Sequence, residues 1–191
     1  MFLRRTRANT GFTMIESLVA VLVLGVGVLG VSSLLANSLR FSQQSTYELV
    51  ASSLVKDMAE RMRANAGRVR DGGYSDIDTA VTTPRSATNP LSTPCGGAEC
   101  GSRMERYDTE EWSRRVITSL PGGRGVVCHD AATYAPGTPH KWTCDRTANK
   151  ALSPLVIKVG WVPRHANAAA GGGDGNASVQ MVVVTSALTG K

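Results

Sequence analysis

Histidine and aromatic residues are scarce in this chain. Only His129, His140 and His165 stand among 191 residues, and aromatics make up 5%. No nucleophile elbow, phosphate loop, dinucleotide fingerprint or zinc-protease helix occurs. His129 lies between Cys128 and Asp130, an order that a nucleophile and its base could use. A disulfide cysteine beside a strand-edge histidine is the simpler reading. Neither enzymatic activity nor a cofactor is therefore expected. Arg61, Arg63, Arg68 and Arg70 form a basic stretch without interleaved aromatics. It reads as solvated charge at a helix end, and no nucleic-acid partner is predicted. Charge is also missing locally: residues 17–39, 23 in all, contain no acid or base. A helix needs about 20 such residues to cross a bilayer core. One run of this kind excludes a multi-span membrane protein, and a hydrophobic fraction of 42% excludes a wholly disordered chain. The composition allows one membrane helix carrying one small domain.

What is present is concentrated at the N-terminus. The formal net charge is +6, and Arg4, Arg5 and Arg7 supply half of it. Basic residues on one side of an apolar span favour keeping that side in the cytoplasm, so the bulk of the chain is expected to be exported. A secretory signal peptide has a shorter apolar core and a small-residue cleavage site after it. Here the end of the run reads Leu34-Leu35-Ala36, without the small residue two before Ala36. A plain uncleaved anchor is the other simple reading. Neither explains Glu16, because a carboxylate at the edge of an apolar span is costly and normally has a partner or a function.

Gly11-Phe12-Thr13-Met14-Ile15-Glu16 follows a short basic leader and precedes the uncharged run. This order resembles the class III signal of type IV pilins and type II secretion pseudopilins. The resemblance implies that a prepilin peptidase cuts between Gly11 and Phe12, on the cytoplasmic side. Phe12 then becomes the N-methylated first residue, and residues 1–11 are a removed leader. The mature chain would have 180 residues and a formal side-chain charge of +3, since the three leader arginines are lost. Glu16 matches the family's glutamate. A buried ammonium at Phe12 needs a partner, and Glu16 can serve within its own helix, where i and i+4 share a face, or in a neighbouring subunit. The implied partners are the peptidase, other minor pilins, the major pilin and, before assembly, the inner membrane.

Pilins resemble one another in a long N-terminal helix, half embedded in the membrane and half packed on a globular domain. Here that helix is expected over about residues 13–66, roughly 80 Å at ~1.5 Å per residue. Residues 12–39 form its membrane or filament-core part, and 40–66 form its amphipathic part. Tyr47, Val50, Ala51, Leu54, Val55, Met58, Ala59 and Met62 recur in steps of three and four. That stripe reads as a face packed on the protein's own sheet, or as a coiled-coil face for another subunit. Gly25, Gly27 and Gly30 permit close helix approach and also weaken the helix. Met58–Asn65, Trp112–Arg115 and Leu120–Gly125 resemble PilV-type minor pilins, also described as type IV pilus modification proteins. That resemblance implies a role in priming pilus assembly or modulating adhesion and twitching motility. A minor pseudopilin and a membrane-anchored periplasmic binding module are the alternatives.

Residues 67–191 are expected to form a periplasmic α+β domain. Residues 67–107 read as mostly irregular. Asp108 reads as the N-cap of a short helix that carries Trp112, Val116 and Leu120 and stops at Pro121-Gly122-Gly123. Gly125–His129, Lys141–Asp145, Leu155–Pro163 and Ser178–Ser186 read as strands, with a flexible hairpin loop from His165 to Ala177. A four-stranded antiparallel sheet on the second half of the long helix follows from the family pattern. Cys95, Cys100, Cys128 and Cys144 all lie on the exported, oxidising side. Four cysteines allow three pairings. Cys95 with Cys100, and Cys128 with Cys144, are favoured. A four-cysteine zinc site is the rival, but it wants closer spacing than the second pair offers.

Overall fold

The computed structural model describes residues 11–81, 89–90, 92–131, 141–144, 153–162, 171–172, 176–177 and 180–185. The chain divides into two compact units, Met1–Gln43 and Gln44–Lys191. Helix α1, Met14–Ala64, runs through both. It begins and ends within two residues of the expected limits, and it stays helical through Gly25, Gly27 and Gly30.

In the first unit the helix is apolar all round. Its described side chains are exposed, from Phe12 through Leu24 and Leu35 to Leu39 and Phe41. In the second unit the pattern becomes a stripe. Ala51, Leu54, Val55, Met58 and Met62 are buried, with Tyr47, Val50 and Ala59 packed at their margins. The expected stripe is therefore a face packed within the unit, and each fully buried Leu or Met in it contributes about 1.5–3 kcal/mol.

A five-residue helix α2, Ala66–Arg70, follows, and then strand β1, Ile77–Asp78. Helix α3 spans Gly97–Ser119, and strands β2 and β3 span Arg124–His129 and Leu155–Trp161. Gly171–Gly172 (β4) and Asn176–Ala177 (β5) form a small antiparallel ladder inside the expected hairpin loop, and β6 is Gln180–Thr185. The main sheet has the order β1-β2-β3-β6, with Val127 opposite Ile157 and Ile157 opposite Val184.

The α+β class matches expectation, but the sheet membership does not. Three strands of six or seven residues and the two-residue β1 replace four full strands. Residues 141–144 are not a strand. The backbone edges of β2 are taken by β1 and β3, so this segment packs on the sheet by other means, described below. Asp145, His140 and His165 lie outside the described residues.

The expected irregular stretch 67–107 needs the same kind of correction. Its second part is the first half of α3, and Gly96 is the N-cap. Asp108 is not a cap; it is buried in the middle of α3 and bonds to other segments. From Trp112 onward α3 follows the expected spacing, with Trp112 and Val116 buried and Leu120 as the buried C-cap residue.

Period-two alternation gives the sheet two faces. Val127, Leu155, Ile157, Val159 and Trp161 join the α1 stripe, Trp112, Val116 and Leu120 in one core. The Trp112 ring lies over Gly125 of β2, where any Cβ would overlap it, and Trp112 Nε1 donates to the Leu54 carbonyl at 2.9 Å. On the opposite face Val126, Cys128 and Trp142 form a smaller cluster.

Candidate functional site

Three regions hold the residues that the sequence singles out. The first is the start of α1. Gly11, Phe12 and Thr13 precede the helix and are exposed. The Thr13 carbonyl accepts from the Glu16 and Ser17 N–H groups at 3.1 and 3.3 Å, which closes the first turn. The Ser17 hydroxyl donates to the Met14 carbonyl at 3.0 Å. Glu16 lies in that first turn, exposed, where unpaired N–H groups favour a negative side chain. Because α1 starts at Met14, Phe12 and Glu16 do not share a helical face in the uncleaved chain. The peptide link between Gly11 and Phe12 is outside the helix and uncovered. Among the described residues one helix is long and apolar enough to cross a membrane, and it begins here.

The second region joins α1, the turn after α2, and α3. Arg61 donates to Asp108 at 2.9 Å and to Asp57 at 3.1 Å, and Arg115 donates to the same Asp57 oxygen at 2.9 Å. The Tyr74 hydroxyl donates to Asp108 at 2.6 Å and accepts from Asn65, whose amide also reaches the Gly101 carbonyl. Glu105 accepts from the Tyr74 N–H at 2.7 Å and pairs with Arg68. Burial pushes the Tyr74 phenol above its ordinary pKa, and the bond to Asp108 adds to the effect. Burial works against the charge on Arg61, but Asp108 and Asp57 outweigh it and hold the guanidinium more firmly protonated. Arg61 and Arg68 are thus engaged within the domain, and Arg63 pairs with Glu60. Half of the basic stretch, Arg61 and Arg68, is tied to α3, while Arg63 and Arg70 stay exposed as expected of solvated charge. Tyr74 and Asp76 adopt left-handed φ of 58° and 62°, the tight turn that delivers Tyr74 to Asp108.

The third region is the outer sheet face. Cys128 and Cys144 are joined with Cα atoms 6.3 Å apart, and Cys95 and Cys100 with Cα atoms 5.3 Å apart. No thiolate is left for a four-cysteine zinc site, nor a thiol beside His129. His129 Nδ1 donates to the Ser153 carbonyl at 2.9 Å. Lys158, buried on β3, bonds to Asp130 at 2.6 Å and to the carbonyls of Lys141 and Thr143 at 2.9 and 3.0 Å. Arg124 lies 4.6 Å from the Trp142 ring centre and pairs with Asp78 at 2.8 Å. Burial would raise the Asp78 carboxyl, but Arg124 and the Ala80 N–H draw it below the ordinary range. A cleft of about 370 Å³ opens beside these groups. The sequence reading missed this arrangement. Its one available signal was a lysine in an otherwise apolar strand, Leu155–Trp161.

No curated protein and no solved structure matches the chain. Residues 6–32 match the family model described as the prokaryotic N-terminal methylation motif. That span holds Gly11, Phe12, Glu16 and most of the uncharged run. The chain carries a type IV prepilin-like N-terminus.

Proposed function

We propose that this protein is a minor pilin, an assembly subunit of the type IV pilus. The observation that carries the reading is the methylation motif, with Gly11, Phe12 and Glu16 in order ahead of an apolar helix whose side chains are uncovered. Prepilin peptidase removes residues 1–11, Phe12 is N-methylated, and the helix waits in the inner membrane with its basic end cytoplasmic and residues 67–191 periplasmic. During assembly the exposed apolar half of α1 enters the filament core. Cleavage lets the helix extend to Phe12, where Glu16 meets the new ammonium of its own chain or of a neighbour. The role is structural, with no catalytic step.

A PilV-type assignment is the finer part of the proposal. Its support is that the resembling segments meet in one core: Met58 and Met62 from the first, Trp112 from the second, Leu120 from the third. Mass spectrometry of sheared pili is expected to yield a peptide beginning with N-methyl Phe12, and its formation should require the peptidase. The same peptide found only in a secretion-dependent pseudopilus would move the protein to that system. A chain that keeps residues 1–11 in cells with active peptidase would overturn both readings. Glu16→Val is expected to be processed normally yet to fall at least about tenfold in sheared filaments, the effect of an unpaired buried charge. Normal incorporation of that variant would remove Glu16 from the mechanism.

A further inference from the structure

The disulfide Cys128–Cys144 closes a loop with a sequence separation of 16. Bringing two such cysteines together costs chain entropy before any sulfur bond forms. Cys128 is held in β2, but residues 141–144 have no strand partner to deliver Cys144 to it. Their backbone is gripped by one side chain. Lys158 lies opposite Val126 across the β2–β3 pairing, on the same face as Cys128. Its ammonium has three protons, and three acceptors meet it: Asp130 Oδ2, the Lys141 carbonyl and the Thr143 carbonyl. Asp130 is two residues after Cys128, and Thr143 is the residue before Cys144. Lys158 therefore clasps both ends of the loop that the disulfide closes. Its side chain and that of Asp130 are each 2% exposed, so water does not compete for these bonds.

We infer that Lys158 is a positioning residue for oxidation of Cys128 and Cys144. The ammonium closes the loop non-covalently and sets the two thiols together. An incoming disulfide oxidant takes the two electrons and two protons of the pair. One thiolate attacks it to form a mixed disulfide, the second thiolate displaces it, the Cys128–Cys144 bond forms, and the oxidant's S–S bond is broken to two thiols. By reciprocity, whatever Lys158 adds to loop closure it adds equally to the stability of the bond against reduction. Cys95–Cys100, which ties the residue before the Gly96 N-cap to the first turn of α3, lies outside this grip and serves as an internal reference. This inference goes beyond the pilus reading and does not depend on it.

The test uses the full chain in detergent, equilibrated in buffers of reduced and oxidised glutathione, acid-quenched and alkylated. Peptide mass spectrometry then gives the oxidised fraction of each pair. Two variants are compared with wild type: Lys158→Met, and Lys158→Met with Asp130→Leu. The double variant removes both buried charges together and so avoids stranding the carboxylate. In both, the effective concentration of the Cys128–Cys144 pair is expected to fall about tenfold to a hundredfold, the loss of charge-assisted bonds, with Cys95–Cys100 unchanged. A selective fall of more than about fivefold in the double variant supports the inference. A smaller fall overturns it. So does an equal loss at both pairs, because Lys158 would then hold the fold as a whole and not the pair.

Discussion

Over Met14–Phe41 the side chains of α1 are uncovered, whereas over Ala51–Met62 the same helix buries five residues against its own domain. The two stretches are similarly apolar along the stripe but differ in what surrounds it. Around the lower stripe stand Lys56, Asp57, Glu60, Arg61 and Arg63, which limit the apolar face to the width one sheet can cover. Between Glu16 and Arg40 there is no charged side at all, only Ser, Asn and Gly among the aliphatics. A single small domain cannot cover a cylinder, so that stretch is completed by lipid or by other helices. The difference lies between a surface finished by folding and a surface finished by association.

That contrast can be broken first at Trp112. Trp112→Ala is expected to destabilise the domain by about 3–5 kcal/mol in denaturant unfolding, since it empties a core site and removes the N–H that donates to the Leu54 carbonyl. Leu22→Ala, a truncation in the uncovered stretch, should leave the same curve within about 0.5 kcal/mol. Equal effects would mean that the upper stretch also belongs to the folding unit. Charge sharpens the other side. Val23→Asp should oppose membrane insertion by roughly 2.5–3.5 kcal/mol and shift the chain toward the soluble fraction, with the domain's melting unchanged. Unaltered membrane fractionation would remove the apolar run from the insertion mechanism.

The smallest expected effect concerns Tyr74. Its phenol is held neutral by burial, so its pKa in the folded state lies above the ordinary value near 10. The associated stability is complete below pH ~10 and is lost as pH rises beyond it. Tyr74→Phe should lose about 1 kcal/mol at neutral pH, from the bond to Asp108, and show a shallower fall in stability between pH ~10 and ~11. Parallel curves for the two proteins would exclude Tyr74 as a source of the alkaline slope.

How far the sequence could be read follows the same division. The apolar run, the three-and-four stripe and the long strands are repeating apolar patterns, and each was found close to its place. The first half of α3 was not. Gly97 and Gly101 look like breakers, and the segment is held by polar links to distant residues: Asn65 to Gly101, Arg68 to Glu105, Arg61 to Asp108. Such links leave no period. Lys141-Trp142-Thr143-Cys144 failed the other way, because alternation suggested a strand while the segment lies across the sheet under Lys158 and the disulfide. At the N-terminus the methylation motif over residues 6–32 was legible because it is one contiguous stretch of sequence, which needs no fold to assemble it.

Gly125 and Trp112 have a consequence for how this sequence can change. The indole occupies the space that any side chain at position 125 would need. While Trp112 is kept, position 125 is closed to every other residue type. If Trp112 is replaced by a small residue, position 125 can accept bulk and refill the vacancy. The two positions, thirteen apart in the chain and on different elements, form one unit of variation. Homologous chains should keep both or exchange both.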